Sequence, residues 1–277
     1  MGAQRKILVG SALAVAGLVA ATTAGAGSSD GDRTREVRQA IDGGKAKNVI
    51  MFLGDGMGDS EITIARNYQV GAAGRLSMDT LPLSGEYTTY AVQKGTTDLP
   101  DYVTDSAASG TGWSTGHKTY NNAVSVDPVT GAPLTTILEQ AQAAGFKTGN
   151  VGTAELTDAT PAVLDSHISL RGCQGPTDMA TCPNETKQAG GLGSIAEQTV
   201  DHNVEVVLGG GKQRFDQTVT GGPFAGQTVT QQAQSQGYNV VTTRAGLDAA
   251  QAGTKVLGRF APGNMDLEWT GPVAAPY

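Results

Sequence analysis

The 277-residue sequence predicts an α/β fold with a central, mostly parallel sheet flanked by helices. Two observations lead there. Short continuous apolar runs, expected of strands buried on both faces, recur along the chain, and stretches with helical spacing of apolar residues separate them. No internal repeat competes with this pattern.

Residues 48–53 form the first apolar run, which ends in Gly54-Asp55-Gly56 and reads as a buried strand. Asp59-Ser60-Glu61 opens a helical pattern lasting to about Tyr68, and residues 87–92 read as a strand. Asp105-Ser106, followed by small residues, has the form of a helix start. Ile137, Leu138, Ala141 and Ala144 sit at helical spacing, with Gly145 as the stop. Residues 147–153 and 204–208 read as further buried strands, and a helix over 194–202 precedes the second of them. Helix, strand and helix signals follow from Thr230 to Ala252.

The ends set the organisation. Arg5-Lys6, the apolar run 7–21 and Ala24-Gly25-Ala26 have the layout of a secretory signal peptide over residues 1–26. The run is shorter than the roughly 20 strongly apolar residues that a membrane span needs. Residues 27–45 are polar and Gly-rich and read as a flexible arm, and the globular part covers 46–277. The chain is therefore expected to be exported, to the periplasm or the medium, with no membrane partner once the signal is removed. In that compartment Cys173 and Cys182 are expected to form a disulfide around the loop 174–181. A metal site is the competing reading of the pair, and the spacing and the lack of a nearby His disfavour it. Loss of Arg5 and Lys6 with the signal takes the net charge from −7 to −9. No basic cluster remains, which excludes nucleic acid and anionic membranes as natural partners.

Three acidic clusters follow strands or open helices, where α/β sheets place reactive groups. Asp55, between Gly54 and Gly56, reads either as a metal carboxylate or as a turn residue holding its own backbone. In Asp105-Ser106-Ala107-Ala108-Ser109, the acid or the hydroxyl is an N-cap, or the helix N-terminus receives an anion beside Ser106. Thr160-Pro161 is a second helix start with Thr160 as its cap, and Asp158 and Thr160 offer oxygens to a hard cation. Arg171 is either a surface arginine or a bidentate phosphate ligand. Gly112-Trp113-Ser114-Thr115-Gly116 matches the esterase nucleophile elbow G-x-S-x-G, but what precedes it is helix-like rather than a strand. His117, His167 and His202 read as ordinary surface or core histidines, since no two have ligand spacing. Neither Gly-rich turn is followed by the Lys-Ser/Thr of a P-loop.

Together, the segments 48–61, 102–109 and 153–161 resemble the bacterial alkaline phosphatases in order and spacing. Val207-Leu-Gly-Gly-Gly211 and Gly263-Asn-Met265 extend the similarity, which covers about Ala46 to the C-terminus. The resemblance implies phosphate-monoester hydrolysis through a phosphoserine on Ser106, with two zinc ions and one magnesium per complete site. It makes Asp55 a bridge between zinc and magnesium, Ser106 a zinc-bound nucleophile, and Asp158 and Thr160 magnesium-side ligands. Arg171 becomes the phosphate clamp, oriented by Asp105, and the Cys173–Cys182 disulfide holds the segment just after it. Phosphomonoesters and inorganic phosphate are the implied small-molecule partners, with a homodimer for the full-length protein.

The chain departs from the family pattern in one respect. The family's second half supplies most of the zinc ligands, as Asp and His, and a magnesium-binding Glu, and nothing here plays those parts. The expectation is a truncated or partial phosphatase, inactive by itself and poorly soluble because its sheet keeps an exposed edge. Another member of the superfamily, such as a phosphodiesterase, and a non-catalytic phosphate- or metal-binding chain are the alternatives. A sulfatase is disfavoured because Ala-Ala-Ser follows Ser106.

Overall fold

A computed structural model describes residues 46–267, together with Arg35, Arg38 and Gln39. The signal segment 1–26 and nearly all of the arm 27–45 lie outside the described residues. Among those described, no helix is long and apolar enough to cross a membrane. The residues fall into two compact units, one of 46–52 with 59–86 and the other of 53–58 with 87–267.

The first unit carries helix α1 (Asp59–Val70), which opens with Asp59 and Glu61 in its first turn, as the sequence predicts. Arg66 on α1 forms a two-pronged ion pair with Asp79 (Nε 3.1 Å and Nη2 2.8 Å). The predicted strand over 48–53 does not form. Residues 48–53 join no strand ladder and are exposed, Phe52 at 92%. An apolar run specifies burial but supplies no partner, and a strand exists only when another strand pairs with it.

The second unit holds the sheet. A minimal antiparallel pair comes first, β1 (Ala91–Val92) with β2 (Pro100–Asp101). The strand expected over 87–92 shrinks to these two residues, and the Tyr87 hydroxyl donates to the Ser109 carbonyl (2.8 Å). Four parallel strands then stand in the order β3-β4-β6-β5: β3 (Gly149–Glu155), β4 (Val206–Gly210), β5 (Tyr238–Val241) and β6 (Lys255–Arg259). Parallel pairing needs crossovers, and helices supply them: α4 (Ala159–Asp165) and α5 (Ile195–Asp201) between β3 and β4, α6 (Lys212–Phe215) and α7 (Val229–Ser235) before β5, and α8 (Arg244–Asp248) before β6. Helices α2 (Ser106–Thr115) and α3 (Ile137–Ala143) precede β3. The fold class is thus the predicted one.

Two apolar clusters fix the geometry. Val207, Leu257 and Tyr238 of the sheet pack with Val200 of α5 and Val229 and Ala233 of α7. The second joins Ala107 of α2 to Ala159, Ala162 and Val163 of α4, with Ile168, Ile195 and the Cys173–Cys182 disulfide. Small residues let α2 approach α4 closely: a Cβ on Gly110 would lie 3.0 Å from both methyls of Val163.

The triple glycine 209–211 is a packing device. Gly211 has φ 87° and donates its N–H to the Gly263 carbonyl at 2.7 Å, while a Cβ on Gly210 would stand 2.0 Å from that same oxygen. Asn264 then accepts the Glu155 N–H (2.9 Å) and Met265 donates to Thr153 (2.9 Å), so this clamp holds the end of β3. Gly210→Ala is expected to lose about 2 kcal/mol or more by overpacking against backbone, read as a lower urea midpoint at unchanged slope. A midpoint equal to that of the parent would contradict this close approach.

Candidate active site

The site is assembled where α2 and α4 begin. Asp105 is the N-cap of α2: its Oδ1 accepts the Ala108 N–H (2.9 Å). This leaves Ser106, at the first helical position, free to turn its Oγ to Asp55, where it donates to Oδ1 at 3.2 Å. The cap of α4 is Asp158, two residues earlier than the Thr160 expected, and it accepts the Ala159 N–H (2.7 Å). A carboxylate outcompetes the hydroxyl for the helix N-terminus. Thr160, released from capping, donates Oγ1 to the other Asp55 oxygen at 2.5 Å. Asp55 therefore stands between two hydroxyls that lie 54 residues apart in sequence.

Arg171 links the two caps. Its Nη1 donates to Asp105 Oδ2 (3.2 Å) and its Nη2 to Asp158 Oδ1 (2.6 Å). Burial lowers the pKa of the guanidinium, but the hydrogen bonds and charges of Asp158 and Asp105 outweigh that and raise it overall, so it stays cationic. The Arg171 backbone N–H donates to the Asn122 carbonyl (2.7 Å), and Asn121 Oδ1 accepts the Asp105 N–H (2.9 Å). Asn122 takes φ 71°, a conformation that asparagine tolerates better than most residues. The disulfide lies two residues beyond Arg171, with its Cα atoms 6.5 Å apart. Arg214 reaches from α6 to Glu155 (3.0 Å) and Asp178 (3.0 Å), tying the disulfide loop to the end of β3.

A closed circuit results: Asp55 to Ser106, through the α2 cap Asp105 to Arg171, through the α4 cap Asp158 to Thr160, and back to Asp55. Asp55, Asp105, Ser106, Asp158, Thr160 and Arg171, all singled out from the sequence, are brought together in it, and the Cys173–Cys182 disulfide stays outside the circuit. The circuit sets three carboxylates, Asp55, Asp105 and Asp158, against the one guanidinium of Arg171, so an anion would enter it only together with a cation. Asp55, Ser106 and Thr160 offer only oxygen, a donor set that suits a hard cation such as magnesium. Zinc is bound chiefly through nitrogen and sulfur. Among the described residues, the group of His, Cys, Asp and Glu close enough to share an ion is Glu139, His167 and His202, none of which belongs to this circuit.

The esterase reading fails on position. Ser114 lies within α2, is 1% exposed, and its hydroxyl lies 3.4 Å from Ser125 Oγ, with no histidine bonded to it. Asn121, Asn122 and the Glu139 group escaped the sequence reading. His167 and His202 read there as ordinary histidines, and the one local signal of the group, the capping box Thr136-x-x-Glu139, marks only a helix start.

Sequence comparison decides the family: the profile described as Alkaline phosphatase matches residues 46–276. The chain belongs to the alkaline phosphatase family. It is 57% identical over 231 residues to the streptomycin-6-phosphate phosphatase of Streptomyces griseus, covering 83% of this chain and 51% of that protein. Against the alkaline phosphatase of Escherichia fergusonii it is 51% identical over 256 residues, covering 91% of this chain and 54% of the relative. The cold-active alkaline phosphatase of a Shewanella species shares the fold at a TM-score of 0.55 and 31% identity, over 77% of this chain and 46% of that structure. The chain thus spans about half the length of the curated relatives it matches.

Proposed function

We propose that this chain provides the nucleophile, the phosphate clamp and one metal carboxylate of a phosphomonoesterase that works through a phosphoserine on Ser106. The circuit that holds Ser106 Oγ 3.2 Å from Asp55, at the start of a ten-residue helix, carries the reading. Uncatalysed phosphate-monoester hydrolysis is among the slowest reactions known, and acceleration on the order of 10²¹ comes from positioning and charge.

Each residue then has a task. Ser106 Oγ forms a bond to phosphorus as the ester P–O bond breaks, and the alcohol leaves with a proton. Water next cleaves the Ser106 O–P bond and releases inorganic phosphate. Arg171 presents its fork to the non-bridging oxygens, and the first N–H groups of α2 face the same charge. Asp105 and Asp158 hold the fork in place from two helix starts. Asp55, Thr160 and Asp158 are the residues to hold magnesium; a cation there would offset the charge of the transferring group. The zinc share of the family chemistry is assigned no step, because the described residues assemble no nitrogen or sulfur donors at Ser106.

We further infer that the remaining ligands come from outside these 277 residues, that the mature protein works after export, where the Cys173–Cys182 disulfide is stable, and that the complete enzyme is a homodimer. The Streptomyces relative makes streptomycin 6-phosphate the specific monoester to assay beside p-nitrophenyl phosphate. The test joins residues 46–267 to the remaining C-terminal portion of the Escherichia fergusonii phosphatase. This chimera is expected to turn over p-nitrophenyl phosphate with zinc and magnesium added, while the 277-residue chain alone shows little turnover. Brisk hydrolysis by the chain alone would overturn the shared-ligand reading, and a folded but inert chimera would overturn the site assignment.

A further inference from the structure

A second constellation lies at the other end of α4. Helix α4 is capped by Asp158 and ends at Asp165, about 10 Å away at 1.5 Å per residue. His167 follows it, His202 is the C-cap of α5, and Glu139 lies in the first turn of α3. His167 Nε2 and His202 Nε2 both point at Glu139 Oε1, at 3.1 and 3.0 Å.

The outer atoms of all three side chains are fixed. His167 Nδ1 lies 2.8 Å from the Ser125 carbonyl, and His202 Nδ1 lies 2.9 Å from the Gln198 carbonyl. A carbonyl oxygen only accepts, so each Nδ1 must carry the hydrogen. A neutral ring then presents a bare Nε2 lone pair, and both lone pairs aim at one carboxylate oxygen. Glu139 cannot turn away, because its Oε2 accepts the Thr136 N–H at 2.7 Å in the capping box. The Ser125 carbonyl that holds His167 comes from a residue at φ 46°, an uncommon conformation outside glycine and the short polar residues.

Three electron-rich atoms converging on one point need a positive charge among them. Two extra protons would supply it only by making both rings cationic, and the His167 side chain is 4% exposed. One divalent cation satisfies all three atoms at once, with the rings neutral. Its ligand atoms would stand about 3.4 Å apart in a tetrahedral zinc site with 2.0–2.1 Å bonds, and the three here lie within 4.8 Å of one another. Outer hydrogen bonds from each ligand to backbone are the usual support of such a site.

We propose that Glu139, His167 and His202 form a binding site for one zinc-class divalent cation, which fastens α3 to the ends of α4 and α5 and leaves a fourth position for water. The donor set of two imidazoles and a carboxylate favours zinc over magnesium or calcium. The site shares no residue with the circuit around Asp55, so it stands whether or not the phosphatase reading does.

The probe is ZnCl2 alone, added to the full chain after chelator treatment and removal of the chelator. Three proteins are compared: the parent, Asp55→Asn and His202→Gln. Parent and Asp55→Asn are expected to bind a zinc ion that raises Tm by several degrees, and His202→Gln to bind at least tenfold more weakly with no rise. Equal zinc affinity and equal Tm response in His202→Gln would overturn the proposal. A parent whose Tm ignores zinc would do the same. Nitrogen-15 NMR of the parent covers the case in which the variant fails to fold. The His167 and His202 Nε2 resonances should be those of an unprotonated nitrogen and should shift on zinc addition. Rings protonated at both nitrogens and unmoved by zinc would refute the site.

Discussion

Ser106→Ala in the chimera lowers kcat for p-nitrophenyl phosphate by roughly 10⁴-fold or more, the scale seen when a covalent nucleophile is removed. The substitution deletes one oxygen from a half-buried position and keeps a good helix former at the start of α2. The cap survives, because it is the Asp105 carboxylate that accepts from Ala108. Stability should therefore change by less than about 1 kcal/mol, and urea unfolding of the same preparation checks that the loss is chemical. If Ser106→Ala kept activity within tenfold of the parent, another group would have to be the nucleophile, and Ser106 would be reduced to a donor for Asp55.

The second large effect belongs to Arg171. Arg171→Ala is expected to cut kcat/KM by about 10²–10³, the usual cost of losing a donor aimed at developing charge, and to weaken competitive inhibition by inorganic phosphate. Arg171→Lys should recover only part of this, because an ammonium cannot reproduce the planar fork that spans Asp105 and Asp158. Removing the guanidinium also leaves those two carboxylates facing a common gap. Both are about a quarter to a third exposed, so water screens them and the stability cost stays near 1 kcal/mol. A measured loss confined to stability, with unchanged phosphate inhibition, would show that Arg171 only ties the two helices together.

How much of this was legible in the sequence differs by kind of residue. The parallel sheet could be read from the apolar runs at 147–153 and 204–208, since strands covered on both faces need no alternation. The run at 48–53 looked equally strand-like, yet it forms no ladder among the described residues: composition cannot name a pairing partner. Local context marks Asp55 as a turn residue, Asp105, Ser106, Asp158 and Thr160 as residues of helix starts, and leaves Arg171 open between surface and clamp; their site roles come from the family resemblance. The cap of α4 is expected at Thr160 and stands at Asp158: both residue types cap helices, but the carboxylate takes the helix N-terminus and Thr160 turns to Asp55. Asn122 and Gly210 take their roles from close backbone approaches that no local pattern encodes. His167 and His202 lie 35 residues apart and Glu139 a further 28 before them, so their meeting depends wholly on how α3, α4 and α5 pack.

The central claim is that Ser106 carries the phosphoryl group, and acid quenching tests it most directly. The chimera is incubated with inorganic phosphate at low pH, where a phosphoserine outlasts its own hydrolysis, then quenched, digested and analysed by mass spectrometry. The account predicts one phosphorylated peptide, with the phosphoryl group on Ser106 within Thr104-Asp105-Ser106-Ala107, and none in Ser106→Ala. A phosphoryl group on any other residue, or an active chimera with no phosphopeptide, would contradict it.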